Sequence, residues 1–342
     1  MPKRLILCFD GTWNRPDDDH PEGEQVETNV RRIFESVLAQ EANGRQQVKW
    51  YDEGVGTKWY QRIRGGAFGM GLSENIRQGY RFLVEHYEQD DEVFLFGFSR
   101  GAYTVRSLVG FIRNCGLLRA PDRERIEEAY ELYRTRDEGA DSETALAFRK
   151  KYARAIRITF LGVWDTVGAL GIPIESFEEF NRRHFEFHDT ELSGIVENAY
   201  HAVAVDEHRE PYAVALWDPK GKLRQTMEQR WFLGAHCDVG GGYQDRRLSD
   251  VTLDWMQQKA AACGLALIPV QLPQDIHSCY TAPITDSFKE FFKGIYSLFH
   301  RRYYRPVSQT VYGQEAIDES IKQRLESDSS YRPKNRGLRE PV

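Results

Sequence analysis

The sequence predicts an α/β fold: a mostly parallel sheet flanked by helices. Three observations carry that reading. Short apolar runs recur at 4–9, 47–51, 93–98, 155–163, 202–205 and 230–235, each of a length suited to a buried strand. Segments 29–38 and 72–88, which lie between such runs, carry helix signals, and strands alternating with helices are the order of βαβ units. Finally, the run Val93–Phe98 enters Gly97-Phe98-Ser99-Arg100-Gly101, after which Val105, Leu108, Val109 and Ile112 fall on one helical face.

Bulk properties set the limits. With 342 residues, 41% hydrophobic and 13% aromatic, the chain can bury a large core. The expected division is one domain over 1–265, with a helical insertion at 116–152 as a candidate cap, and a C-terminal helical extension, 266–342, packed on it. A net charge of −6 argues against a nucleic-acid partner, which calls for a basic face. No apolar run approaches the ~20 residues of a membrane span, and Met1–Phe9 is too short and wrongly flanked for a signal peptide. A cytoplasmic protein is expected, with signal-independent export left open. Cys8, Cys115, Cys237, Cys263 and Cys279 show no ligand spacing, so reduced thiols are the default.

Taken in order, the first strand ends in Asp10-Gly11-Thr12. Loops at the carboxyl ends of strands are where open α/β sheets bind ligands. An aspartyl-phosphatase mechanism lacks its attacking group, because Cys8 stands at the nucleophile position. Backbone N–H groups of Gly11 or Thr12 are instead candidate oxyanion donors. Asp10 is a supporting residue, or only ties the loop to itself. Thr28 is a candidate helix cap. The glycine-rich stretch 54–71 has no Gly-Lys-Ser/Thr and is not a phosphate loop; it is expected as a wall near the site.

The Gly-x-Ser-x-Gly element sits between strand and helix, the context of a nucleophile elbow. Ser99 is the candidate nucleophile, and the Arg100 N–H a second oxyanion donor. Asp165 follows the strand 155–163, and Asp206, past 202–205, is its rival. His236, after the last convincing strand, gives the order Ser99, Asp165, His236, which is that of α/β-hydrolase folds. Asp238 is a supporting residue. A cysteine-nucleophile reading of Cys237 is disfavoured. The segment 288–305 places Phe288, Phe291, Phe292, Ile295, Tyr296 and Phe299 on one helical face beside Lys289, Lys293, Arg301, Arg302 and Arg305. That face either packs on the core or makes peripheral membrane contact. The tail from about 327 is expected to be irregular.

Together, Leu5–Asn14, Thr28-Asn29-Val30, Gly97–Ala102, Trp164–Gly168 and His236–Tyr243 resemble an α/β-hydrolase family that includes the catalytic domain of type VI secretion phospholipase effectors. The resemblance spans roughly 3–260. It implies a Ser-Asp-His triad on Ser99, Asp165 and His236 that hydrolyses acyl esters of phospholipids, with no cofactor and no metal. The expected function is therefore serine hydrolysis of carboxylic, in particular lipid, esters. Two alternatives stand beside it. One is metal-dependent phosphoester cleavage by Asp10, Asp165, Asp238 and His236. The other is a silent hydrolase fold that only binds.

Overall fold

The structure, a computed structural model, describes residues 1–11, 26–54, 67–135, 139–167, 191–219 and 225–338. Thr12, most of the glycine-rich stretch after 54, and Gly168 lie outside them.

β1 (Arg4–Phe9) is buried along its whole length. That explains its unbroken apolar run, since strands covered on both faces do not alternate. The chain passes through α1 (Asn29–Ser36) to β2 (Gln47–Asp52), which pairs parallel with β1. It then returns through α2 (Ala67–His86) to β3 (Glu92–Phe98), on the other side of β1. From β3 the chain enters α3 (Arg100–Cys115). A short antiparallel pair, β4 (Leu117–Leu118) and β5 (Ala153–Arg154), encloses α4 (Ile126–Arg134) and α5 (Glu143–Tyr152). The sheet continues with β6 (Ile158–Trp164), β7 (Val196–Ala204) and β8 (Thr226–Phe232). α6 (His236–Gly240) and α7 (Arg247–Ala262) follow, then the edge strand β9 (Glu315–Ile317) and α8 (Glu319–Ser327).

The sheet order is β2-β1-β3-β6-β7-β8-β9, and every pair within it is parallel. This is an α/β-hydrolase-like sheet. The direction of strand addition reverses at β1, so the carboxyl ends of β1 and β3 flank the crevice where such sheets hold ligands.

Two layers cover the sheet. On one face Leu5, Leu7 and Leu95 pack with Ile76 and Tyr80 of α2 and Val105, Leu108 and Phe111 of α3. On the other, Phe94, Phe96, Phe160 and Trp164 pack with Val30 and Ile33 of α1 and Trp255 and Met256 of α7. Burying each such side chain contributes roughly 1.5–3 kcal/mol.

The segment 116–152 sends Ile126, Ala129, Tyr130 and Phe148 into the α2–α3 side of the core, and α4 and α5 both contact α3. Several boundaries moved. α7 begins before Ser249, whose hydroxyl donates to the Arg246 carbonyl instead of capping the helix. β7 runs back to Val196, because its alternating polar start, Val196-Glu197-Asn198, hides its first turns from an apolar-run criterion. The stretch 288–305 is not one helix. Helical turns Ser287–Glu290 and Ile295–Phe299 are separated by a 3-10 turn ending at Gly294, whose φ of +85° breaks the helix. Phe288 is buried, whereas Ile295, Leu298 and Phe299 are 59%, 76% and 79% exposed.

Candidate active site

The sharp turn between β3 and α3 depends on close packing. A Cβ on Gly97 would lie 2.7 Å from the Gly101 carbonyl oxygen, and one on Gly101 would lie 2.1 Å from the Phe9 carbonyl oxygen. Only glycine lets α3 cross the ends of β1 and β3 at that distance. Ser99 takes up the turn with φ 57° and ψ −121°, a conformation that costs an L-residue roughly 1–3 kcal/mol. Its N–H is tied to the Trp164 carbonyl at 3.0 Å.

His236 starts α6, just past the end of β8. A Cβ on Gly240 would sit 2.0 Å from the Phe98 ring, so glycine there lets α6 lie against β3. The Phe98 ring centroid is 4.6 Å from the imidazole, and the Tyr212 ring stands edge-on at 5.1 Å. Asp165, at the end of β6, has φ 38°.

These three side chains form one hydrogen-bonded line. Ser99 Oγ is 2.8 Å from His236 Nε2, and His236 Nδ1 is 2.6 Å from Asp165 Oδ2. The tautomer follows from the partners: Nδ1–H donates to the carboxylate, which leaves Nε2 to accept the serine proton. Asp165 also accepts from Ala204 N at 2.9 Å and from both terminal nitrogens of Arg305, at 2.6 and 3.0 Å. Burial alone would raise its pKa. The Arg305 guanidinium and the imidazole outweigh burial and hold it well below the usual carboxylate range. For His236, burial lowers the pKa and Asp165 opposes the fall, leaving it below the ordinary value of 6.5.

The remaining candidates separate. Gly11 lies beside Ser99, since its Cβ would be 3.1 Å from Ser99 Cβ. Its N–H donates to the Oδ1 of the neighbouring Asp10 at 2.7 Å. Thr12 lies outside the described residues. Asp10 also accepts from Thr28 Oγ1 at 2.5 Å and Tyr51 OH at 2.6 Å; it joins β1, β2 and the cap of α1. Asp238 accepts from Ala235 N, Thr285 N and Thr285 Oγ1, which fixes the start of α6 to the C-terminal segment. Burial outweighs those bonds and pushes its pKa up to about 6. The rival Asp206 accepts from Gly234 N and Tyr331 OH, away from His236. His201 accepts from Thr166 N and pairs with Gln229, a satisfied core histidine. Burial pushes the Cys237 thiol up to about 12, which suits a packing role.

Residues 3–259 match the family of the catalytic domain of Tle1-like phospholipase effectors of the type VI secretion system. The chain belongs to this family. An uncharacterized protein of Saccharomyces cerevisiae is 28% identical over 241 residues, covering 64% of this chain and 33% of that protein. A crystal structure of an uncharacterized protein from Pseudomonas aeruginosa is 18% identical, with a TM-score of 0.46 over 82% of this chain and 49% of its own. The Tle1 effector bound to the VgrG spike of the type VI secretion system is 17% identical, with a TM-score of 0.41 over 71% of this chain and 51% of its own. This chain thus spans about a third of the yeast relative and half of each structure. The family's description is of lipid-hydrolysing enzymes.

In this Tle1-like chain, sequence reasoning missed Arg305. The sequence marks it only as one of the basic residues of an aromatic segment, yet it is fully buried. Its signal was weak, because nothing in a run of Arg and Tyr marks which guanidinium turns inward. Glu207 was missed as well. It is buried, held by Arg209 at 2.7 Å and Ser287 at 3.0 Å, and accepts from His236 N at 3.3 Å. No helix among the described residues is long and apolar enough to cross a membrane.

Proposed function

We propose that this chain is a serine hydrolase of carboxylic acyl esters, acting on lipid and in particular phospholipid substrates. The observation that carries the reading is the unbroken line from Ser99 Oγ through both imidazole nitrogens to Asp165, with the serine on a strained strand-to-helix turn. Ser99 Oγ attacks the ester carbonyl carbon while His236 Nε2 takes its proton. Asp165 orients the imidazole and stabilises the imidazolium without accepting the proton. The developing oxyanion sits between the Arg100 N–H, first in α3 and aided by the helix dipole, and a backbone N–H from the loop after β1, that of Gly11 or Thr12. His236 returns the proton to the leaving alcohol, and a water activated the same way releases the acid and restores Ser99. The lipid class of the substrate rests on family membership.

Metal-dependent phosphoester cleavage is not favoured. Asp10 and Asp238 are spent on separate anchoring contacts, and among the described residues no three His, Cys, Asp or Glu side chains converge as metal ligands. The test is a panel of short-chain esters and phospholipid vesicles with the wild-type chain and Ser99→Ala, with and without chelator. The expected outcome is fatty-acid release by wild type alone, indifferent to chelator. Equal release by Ser99→Ala, or loss on chelation, contradicts the proposal.

A further inference from the structure

We propose that Arg305, carried by the C-terminal segment beyond the family match, is a positioning residue that sets the geometry and charge of the Asp165–His236 pair. The inference rests on the function proposed above.

Arg305 grips Asp165 with two nitrogens, at 2.6 and 3.0 Å, and the same nitrogens donate to the carbonyls of Ala204 and Tyr212. Neither side chain is exposed to solvent. A planar guanidinium engaged by a carboxylate and two carbonyls leaves the carboxylate one orientation. That orientation presents Oδ2 to His236 Nδ1. The Tyr212 carbonyl it holds belongs to the residue whose ring lies edge-on to the imidazole. The backbone of Arg305 is itself held, its carbonyl accepting from the buried Asn335, which also donates to Val205 O. A salt bridge placed only for stability would be poorly spent here, since buried pairs barely recover their desolvation. Its placement one atom behind the imidazole gives it a second role.

The charged and titratable groups around the imidazole come from several elements. Asp165 ends β6; Glu207 and Arg209 follow β7; Cys237 neighbours His236 on α6; Ser99 faces Nε2. Arg305 lies behind Asp165 and neutralises it. Without Arg305 the lone carboxylate favours the imidazolium more strongly, so the imidazole pKa rises.

The test is the pH dependence of the rate at which a fluorophosphonate labels Ser99 in the full chain, with circular dichroism checking the fold. Labelling requires neutral His236, so the rate falls on the acid side. In Arg305→Met the plateau rate is expected to drop about 10- to 100-fold, the scale seen when a partner that orients a metal-bound histidine is removed, and the acid limb to move to higher pH. Arg305→Lys keeps the charge and loses the fork; its limb is expected to stay in place while its plateau rate falls. If Arg305→Met does not fold, Arg305→Lys decides alone, and labelling at the wild-type rate overturns the proposal. A folded Arg305→Met with wild-type rate and limb does so too. If wild type itself is not labelled at Ser99, the proposed function fails instead, so the two failures are distinct.

Discussion

The two halves of the site are built differently. The nucleophile half is local: Phe9, Gly97, Ser99 and Gly101 lie within the first 101 residues on β1, β3 and α3, and the serine's position follows from two glycines and one turn. The acid–base half is assembled from afar. Asp165, His236 and Arg305 come from β6, α6 and a segment past α7, and that segment also supplies Thr285 to Asp238, Ser287 to Glu207 and Tyr331 to Asp206. One half is held by backbone proximity and the other by side-chain hydrogen bonds across the chain. Substitutions in the first should therefore act through shape, and those in the second through charge and orientation.

The largest effect is expected where the halves meet. Ser99→Ala should reduce ester turnover by several orders of magnitude, on the order of 10⁶ in a comparable serine hydrolase, with the melting temperature little changed, since alanine keeps the same backbone strain. Asp165→Asn, read by steady-state kinetics, should cost about 10⁴ in turnover, because an amide no longer enforces the Nδ1–H tautomer; a loss below tenfold would mean Asp165 is not the orienting acid. In the nucleophile half, Gly101→Ala should destabilise by about 1–3 kcal/mol or more in denaturant unfolding, since the added Cβ meets the Phe9 carbonyl oxygen at 2.1 Å. Unchanged stability would show that the crossing is looser than described. Smallest is a pH effect. Burial lowers the His236 pKa from 6.5, and the base must be neutral, so activity should persist as pH falls through 6.5 and be lost only below it. A limb above 6.5 would show that the carboxylate outweighs burial.

The same contrast explains what the sequence disclosed. The elbow was legible because its signal is contiguous: strand, glycines, serine and helix period lie side by side. Asp165 and His236 were legible by place, each just past an apolar run. Arg305 was not, because a buried guanidinium is recognised by its partner, and that partner is 140 residues away. β9 was missed because it is three residues long and half-buried, too short to show a period. An Asp-Gly loop at a strand end fits both an oxyanion donor and a carboxylate-anchored turn, and the contact of the Gly11 N–H with Asp10 Oδ1 has no signature in the sequence. Among the described residues, 328–338 are irregular, as expected, yet Asn335 is buried, since irregular backbone is ordered when its polar groups find partners.

The central claim is that Ser99 is the nucleophile. The most direct measurement is peptide mapping of the covalent adduct left by a fluorophosphonate on the intact chain. One adduct on Ser99, absent from Ser99→Ala and strongly slowed in His236→Ala, is the expected result. An adduct on another residue, or undiminished ester hydrolysis by Ser99→Ala, would contradict it.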